Sequence, residues 1–297
     1  MYAVNVEGVS KSYGRKTVVD RVSFQVAAGE ILGLIGPNGA GKTTCIRMIM
    51  DVIKPDSGQV VIFERLFRDE IKNEIGYLPE ERGLYRKKPI IESMVYLAAL
   101  KGMDREQARS RAEEWLSRVN MQAHKNKKIE ELSHGMAQII QFLVTILHGP
   151  RIIILDEPFT GLDPVNIKMV KDIILEQKQQ GKAIILSTHR MNEVEELCDR
   201  VFMINRGQNV LYGSIEEVKA KYRNNSVVVN FEGELGELSG ILVKRVNGHS
   251  AEITLGENTT RQQLLERLVS SKVMLNKFEA STPSLNEIFI RVAGGQK

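Results

Sequence analysis

The chain of 297 residues is 42% hydrophobic and 26% charged, which supplies one large core and a small second one and excludes a disordered protein. Its net charge is only +4, with 41 basic residues scattered among 37 acidic ones and no basic block interleaved with aromatics, so nucleic acid is not an expected partner. The two cysteines, Cys45 and Cys198, lie far apart and lack metal-ligand spacing; they imply neither a disulfide framework nor a zinc site and fit a reducing cytosol.

From residue 2 to 29 apolar residues alternate (Val4, Val6, Val9, then Val22, Phe24, Val26) around a turn at Tyr13-Gly14-Arg15-Lys16, predicting a small antiparallel sheet. Tyr13 could simply close that turn or have a functional role. The apolar run Ile31, Leu32, Leu34, Ile35 predicts a buried strand that stops at Gly36-Pro37-Asn38-Gly39-Ala40-Gly41-Lys42-Thr43. That stretch matches G-x-x-x-x-G-K-[ST] at every fixed position and reads as a P-loop. In such a loop backbone amides curl around a phosphate chain, and a helix starting near Lys42 adds its N-terminal amides and positive dipole end. Lys42 then reaches the terminal phosphates and the Thr43 hydroxyl a Mg²⁺ ion. Cys45, in the first turn of that helix, is expected to be a dipole-activated thiol shielded by bound ATP, the alternative being a packed and inert thiol.

After this helix Pro55-Asp56-Ser57-Gly58 breaks the chain, residues 59–63 resume as a strand, and residues 75–79 form another that ends at Glu80-Glu81. Over residues 89–150 apolar side chains recur at helical spacing (Met94, Leu97, Ala98; Ala112, Trp115, Leu116, Val119), predicting a helical insertion of about 86–150. Its charged stretch 105–118 reads as a solvated helix face. Leu132-Ser133-His134-Gly135-Met136 forms a turn that opens a helix to about His148. The apolar run 139–147 inside that helix is short and holds Gln141 and Thr145, and the N-terminus has no basic segment before an apolar one. The chain is therefore expected not to span a membrane by itself.

Residues 152–155 return to a buried strand, ending in Asp156-Glu157. An acid at the end of an apolar strand opposite a P-loop is expected to hold Mg²⁺, directly or through water. A helix over 164–180, a strand over 183–186 ending in Ser187-Thr188-His189 and a helix over 191–198 follow. Strands alternating with helices predict a doubly wound α/β core with its nucleotide at the carboxyl ends of the strands. Residues 201–212 read as a hairpin turning at Arg206-Gly207. Ser214-Ile215-Glu216-Glu217 is a capping-box start for a connecting helix to about Tyr222. The predicted division is 1–222 for the nucleotide domain and 223–297 for a small α+β domain. The latter has strands over 226–231, 241–246, 251–255 and 273–278, an Asn247-Gly248 hairpin turn, and helices over 259–271 and 284–292. It carries no recognisable chemistry, and no internal repeat adds a second nucleotide unit.

The ordered set of motifs resembles the ABC-type ATPases over residues 2–213. Residues 132–136 resemble their signature motif LSGGQ, Asp156-Glu157-Pro158 with Gly161-Leu162-Asp163 resembles their Walker B and D-loop, and His189 matches their switch histidine. The resemblance implies a P-loop ABC-type ATPase core with an antiparallel β subdomain and a helical insertion, ahead of the α+β domain. It implies ATP and Mg²⁺, with Tyr13 stacking on adenine and Gly36, Pro37, Asn38, Gly39, Ala40, Gly41, Lys42, Thr43 and Thr44 holding the phosphates. Ser133, Gly135 and Asp163 are implied to complete the nucleotide site, Ser133 from across a head-to-tail dimer. Glu157 would polarise the attacking water and His189 position the γ-phosphate, with Thr43, Glu80 and Asp156 as metal ligands. Glu80 stands where most of the family has glutamine, and His134 and Met136 replace a glycine and a glutamine of the signature. The remaining histidines, His124, His148 and His249, read as surface or packing residues.

Within the family, residues 76–85 (GYLPEERGLY) and the late segment PSLNEIF resemble bacterial exporter ATPases of the sodium-extrusion and drug-resistance type. The implied partners are a second copy of the chain or a homologous ATPase subunit, and an integral-membrane permease. The implied location is the cytoplasm, peripheral on the inner face of the cell membrane through that permease. Cargo is not legible, because in this architecture the permease contacts it. One competing reading is a soluble ABC-type mechanoenzyme acting on a nucleoprotein. Such proteins usually carry two nucleotide units, a long coiled coil or zinc-binding cysteines, and none is found in this sequence. Another is a module that holds ATP without turnover, against which Glu157 and His189 argue.

Overall fold

A computed structural model describes residues 2–66, 69–81, 83–222, 225–233, 235, 240–256, 259–271 and 273–294. Arg82 of the exporter-like stretch and Arg223 of the expected domain boundary lie outside the described residues. The chain divides into two compact units, Met1–Ile215 and Glu216–Lys297, so the division falls a little earlier than the expected 222/223.

The first unit opens with two long antiparallel strands, β1 (Tyr2–Tyr13) and β2 (Lys16–Ala27), joined at the turn read from the sequence. β3 (Ile31–Ile35) and helix α1 (Lys42–Ile49) bracket the P-loop. β4 (Ser57–Ile62) and the short β5 (Arg65–Leu66) complete a four-stranded sheet of order β2-β1-β4-β5. A 3-10 turn (Asp69–Glu74), absent from the sequence reading, leads into β6 (Ile75–Leu78). The helical insertion contributes α2 (Ile90–Leu100), α3 (Arg105–Arg118) and α4 (His134–Leu147). Then come β7 (Ile152–Asp156), α5 (Pro164–Gln179), β8 (Ala183–Thr188), α6 (Met191–Leu197), β9 (Arg200–Asn205) and β10 (Gln208–Ser214).

A six-stranded sheet of order β10-β9-β3-β8-β7-β6 forms the centre, parallel except at β10. Its inner strands read as continuous apolar runs because both faces are covered. In β7, Ile152 and Ile154 face the core shared with α1 and the antiparallel sheet, whereas Ile153 and Leu155 face the core shared with α2 to α5. Register decides where the chemistry sits. Ile35 pairs with Thr188, Asp156 with Ser187 and Leu78 with Leu155, so β3, β8, β7 and β6 end level with one another. The segments that follow them carry the P-loop, His189, Glu157 and Glu80 side by side.

α4 is buried nearly all round, and its apolar run is a core helix. Among the described residues no helix is long and apolar enough to cross a membrane. Two amides interrupt its apolar surface for a reason: Gln138 Nε2 donates to Pro158 O (3.2 Å), and Gln141 Nε2 donates to Pro79 O (3.2 Å) and Glu81 O (3.1 Å). These bonds tie the signature helix to the segments that carry Glu157 and Glu80. α3 is capped by Asp104 and buries only Ala108, Ala112 and Leu116, as expected of a solvated helix.

Helix α7 (Ile215–Lys221) follows β10. The second unit holds β11 (Ser226–Glu232), β12 (Ile241–Asn247), β13 (Ser250–Leu255), α8 (Arg261–Ser270), β14 (Met274–Ala280) and α9 (Leu285–Gly294). Its antiparallel sheet has the order β12-β13-β11-β14, and the loop from β12 to β13 is Gly248-His249, one residue later than the expected Asn247-Gly248 turn, because Asn247 pairs with Ser250 at the end of β12. Val227, Val229, Phe231, Ala251, Ile253 and Leu255 pack with Leu264 and Leu268 of α8, a helix closed by a Thr260/Gln263 capping box.

Candidate active site

The P-loop is shaped by close approaches that only glycine tolerates. A β-carbon on Gly36 would lie 2.2 Å from Ile204 O, and one on Gly41, at φ 116°, would lie 2.9 Å from Val18 O. Gly41 is also the N-cap of α1 and gives that helix no side-chain cap, and its first turn holds no acid. The first helical bond is Cys45 N–H to Gly41 O at 3.0 Å, which leaves the amides before it for a ligand. α3 and α5 differ, since Asp104 and Asp163 cap them. An uncapped, acid-free helix start inside a tight glycine loop is an anion site by construction.

Lys42 is buried, and its Nζ donates to Gly36 O (2.8 Å) and Pro37 O (3.3 Å), holding the loop closed on itself. Burial lowers its pKa, and the charges of Glu157, Asp156 and Glu80 push the other way. A cavity of about 300 Å³ opens here. Its walls are Val18, Asn38, Gly39, Ala40, Gly41, Lys42, Thr43, Thr44, Glu80, Asp156, Glu157 and His189.

Asp156 is 2% exposed, and its Oδ2 has no hydrogen-bond partner among the described residues. Burial raises its pKa, joined by the charges of Glu80 and Glu157, while the Ser187 hydroxyl and Lys42 oppose. A buried carboxylate oxygen left unpaired is costly unless a cation meets it. With the Thr43 hydroxyl and Glu80 on the same cavity, the donors are all oxygen, which suits a hard cation such as Mg²⁺.

Glu157 sits at φ 50°, a left-handed backbone that costs a non-glycine residue about 1–3 kcal/mol and is held by its N–H on Ser187 O at 2.8 Å. Its side chain is gripped at both oxygens. Oε1 accepts the His189 backbone N–H (3.0 Å) and lies 2.7 Å from His189 Nδ1, and Oε2 accepts from Thr188 Oγ1 at 3.3 Å. The acid is buried, whereas the His189 side chain is 57% exposed and reaches into the cavity.

Other candidates lie away from this cavity. Gly36 and Pro37 shape the loop through their carbonyls. Tyr13 is half exposed at the end of β1 and does not line the cavity; Val18 of β2, which the sequence reading passed over, does. Ser133 caps α4 by accepting Met136 N–H at 3.2 Å, and Asp163 caps α5 through Val165 and Asn166 N–H, both at 3.0 Å. A β-carbon on Gly135 would stand 3.1 Å from Gly161 O, so the signature turn and the loop before Asp163 are in close contact. Cys45 corrects an expectation. It is 1% exposed and burial pushes its thiol up to about 12, so desolvation outweighs the helix dipole and the thiol is not activated.

The ABC transporter family model matches residues 19–160, and the family model for the C-terminal domain of DrrA1-3-like ATP-binding proteins matches residues 213–293. The chain is 38% identical to the ABC transporter ATP-binding protein YhaQ of Bacillus subtilis (strain 168), over 98% of each chain. It is 33% identical to the Nod factor export ATP-binding protein I of Mesorhizobium japonicum, over 86% of this chain and 75% of that one. A solved structure of the ATP binding subunit of an ABC transporter matches with a TM-score of 0.69 at 30% identity, covering 74% of this chain and 93% of the other.

Proposed function

Because this chain belongs to the ABC transporter family, as an ATP-binding subunit that hydrolyses ATP, we propose that Glu157 is the general base of that hydrolysis. One observation carries the reading: a buried carboxylate, clamped by His189 and Thr188, faces the same cavity as the P-loop amides and Lys42. Such a group is placed to take a proton from water attacking the terminal phosphate. Its partner His189, exposed to the cavity, hydrogen-bonds the phosphate, and Lys42 turns from the loop carbonyls to neutralise charge on the leaving oxygens. Thr43, Asp156 and Glu80 would hold Mg²⁺, which would neutralise phosphate charge. Val18 borders the nucleotide, and Tyr13 stacks on the base from the rim.

Ser133, Gly135 and Asp163 serve a second chain. That none of the three lines this chain's own cavity supports a head-to-tail pair in which each signature turn closes the other chain's nucleotide site. The motion passes to an integral-membrane permease, which holds the subunit against the inner face of the membrane. A hollow of about 500 Å³ on the helical insertion, with the exposed Tyr85 and Tyr96 rings 5.5 Å apart and Lys88, Arg105 and Arg109 around them, supports docking there. The direction is export, a reading supported by the name of the Nod factor relative. That name also favours transport over a soluble mechanoenzyme.

Glu157→Gln tests the base. It keeps volume and hydrogen bonding but removes the proton acceptor, so phosphate release falls by about two orders of magnitude or more while ATP binding, read by titration calorimetry, is retained. Turnover near that of the unaltered chain would remove Glu157 from the chemistry.

A further inference from the structure

A single hydroxyl stands between two buried carboxylates beside the site. Thr188, the last residue of β8, places Oγ1 3.3 Å from Glu157 Oε2 and 3.2 Å from Glu193 Oε2. Thr188 is 0% exposed, Glu193 4% and Glu157 9%. The same oxygen accepts the Arg190 backbone N–H at 3.1 Å. A hydroxyl carries one proton and so cannot donate to both carboxyl groups at once; with that proton on Glu157 Oε2, Glu193 meets Thr188 Oγ1 as a neutral acid whose own O–H donates to it.

Glu193 lies in the first turn of α6, where a carboxylate is favoured by the helix dipole, and Arg190 Nη1 donates to its Oε1 at 3.1 Å. Neither role requires burial. Glu106, in the equivalent turn of α3, stays exposed. Burial raises the pKa of Glu193 despite opposing hydrogen bonds from Arg190 and Thr188, so its placement carries a cost that a capping acid avoids. What the buried placement adds is contact with the Thr188 hydroxyl that touches Glu157.

We infer that Glu193 is a positioning residue for ATP hydrolysis: it fixes Thr188 Oγ1, which holds Oε2 of Glu157 while His189 holds Oε1. The inference rests on the reading of Glu157 as base. With both oxygens held, the carboxylate cannot turn about its last bond, and it stays within the roughly 2.6–3.2 Å reach that proton abstraction needs. Without Glu193, Thr188 Oγ1 keeps only the Arg190 N–H beside Glu157, and its hold on one oxygen of the base loosens.

Steady-state ATP hydrolysis by the full chain tests this with Glu193→Ala, Thr188→Val, their combination, Glu193→Gln, and Glu157→Gln as reference. Glu193→Ala and Thr188→Val each lower kcat about tenfold with KM for ATP within about twofold, and the double variant is no slower than the slower single one. Glu193→Gln, which still hydrogen-bonds the hydroxyl, recovers most of kcat. A purely structural cap would show as lower thermal stability without that split or rescue. If Glu193→Ala does not fold, Glu193→Asp keeps the first-turn acid but draws it back from Thr188, and the same loss of kcat is expected. Losses that multiply in the double variant, a change confined to KM, or no recovery with Gln would overturn the inference alone. Normal turnover in Glu157→Gln would overturn the base reading and this inference with it.

Discussion

Lys42 illustrates how one side chain can shape the loop and, in the proposed reading, also meet the phosphates. Its Nζ sits on Gly36 O and Pro37 O, so the cation holds the P-loop in shape. Lys42→Ala therefore removes both a phosphate contact and an internal tie. Hydrolysis should fall close to background, and ATP affinity should drop about tenfold to a hundredfold, the worth of one charge-assisted hydrogen bond. Titration calorimetry and phosphate release check the two effects separately, and unchanged turnover would exclude this loop as the site. Lys42 was legible because the motif fixes its position in sequence. Cys45 was misread because helix position alone does not say which face is buried. Its spacing to Met48 and Ile49 is that of an apolar helix face, and all three are buried against the strands. Thr188 and Glu193 left no mark in the sequence, since their contact depends on how α6 leaves β8.

At the scale of an element, α4 joins the signature turn to the core. Its start at the Leu132–Met136 turn and its end near His148 were readable in the sequence, and the structure adds Ser133 as its N-cap. The work of Gln138 and Gln141 was not, because an amide in an apolar run gives no hint of which backbone carbonyls it will meet. His148, the C-cap, brings a pH dependence. Burial, followed by the charge of Lys101, lowers its pKa from 6.5 to about 4, so it is neutral in the fold and takes up a proton more readily when unfolded. A depressed histidine leaves stability untouched above about pH 6.5 and lowers it as the pH falls towards 4, by up to about 1.4 kcal/mol per pH unit. Chemical denaturation of the intact chain and of His148→Gln from pH 8 to 5 reads this out. The gap between the two should be constant above pH 6.5 and change in favour of the variant below it. A constant gap throughout would show that His148 titrates alike in both states.

For the whole molecule, the order of motifs along the chain was legible and their order across the sheet was not. Periodicity identifies β3, β7 and β8 as buried strands, but only the crossovers set β8 between the other two and so bring His189 between the P-loop and Glu157. The same limit applies to assembly, which in this architecture depends on a surface and not on a local pattern. Ser133 and Asp163 cap helices and do not line their own chain's cavity, which fits the proposed head-to-tail pair. Nucleotide that cannot be hydrolysed should then hold two chains together. Glu157→Gln is expected to elute as a monomer without nucleotide and as a dimer with Mg-ATP, by size exclusion with light scattering, while the unaltered chain stays mainly monomeric because turnover reopens the pair. Adding Ser133→Asp separates the interface from the fold. Aspartate keeps the N-cap of α4, so thermal stability should hold to within about 0.5 kcal/mol. It also sets a carboxylate against the partner's phosphates, where like charges repel. That double variant should bind ATP and remain monomeric. A dimer that persists with Ser133→Asp would mean that the signature turn does not face a second nucleotide, and a Glu157→Gln chain that binds Mg-ATP yet never dimerises would assign closure to the permease.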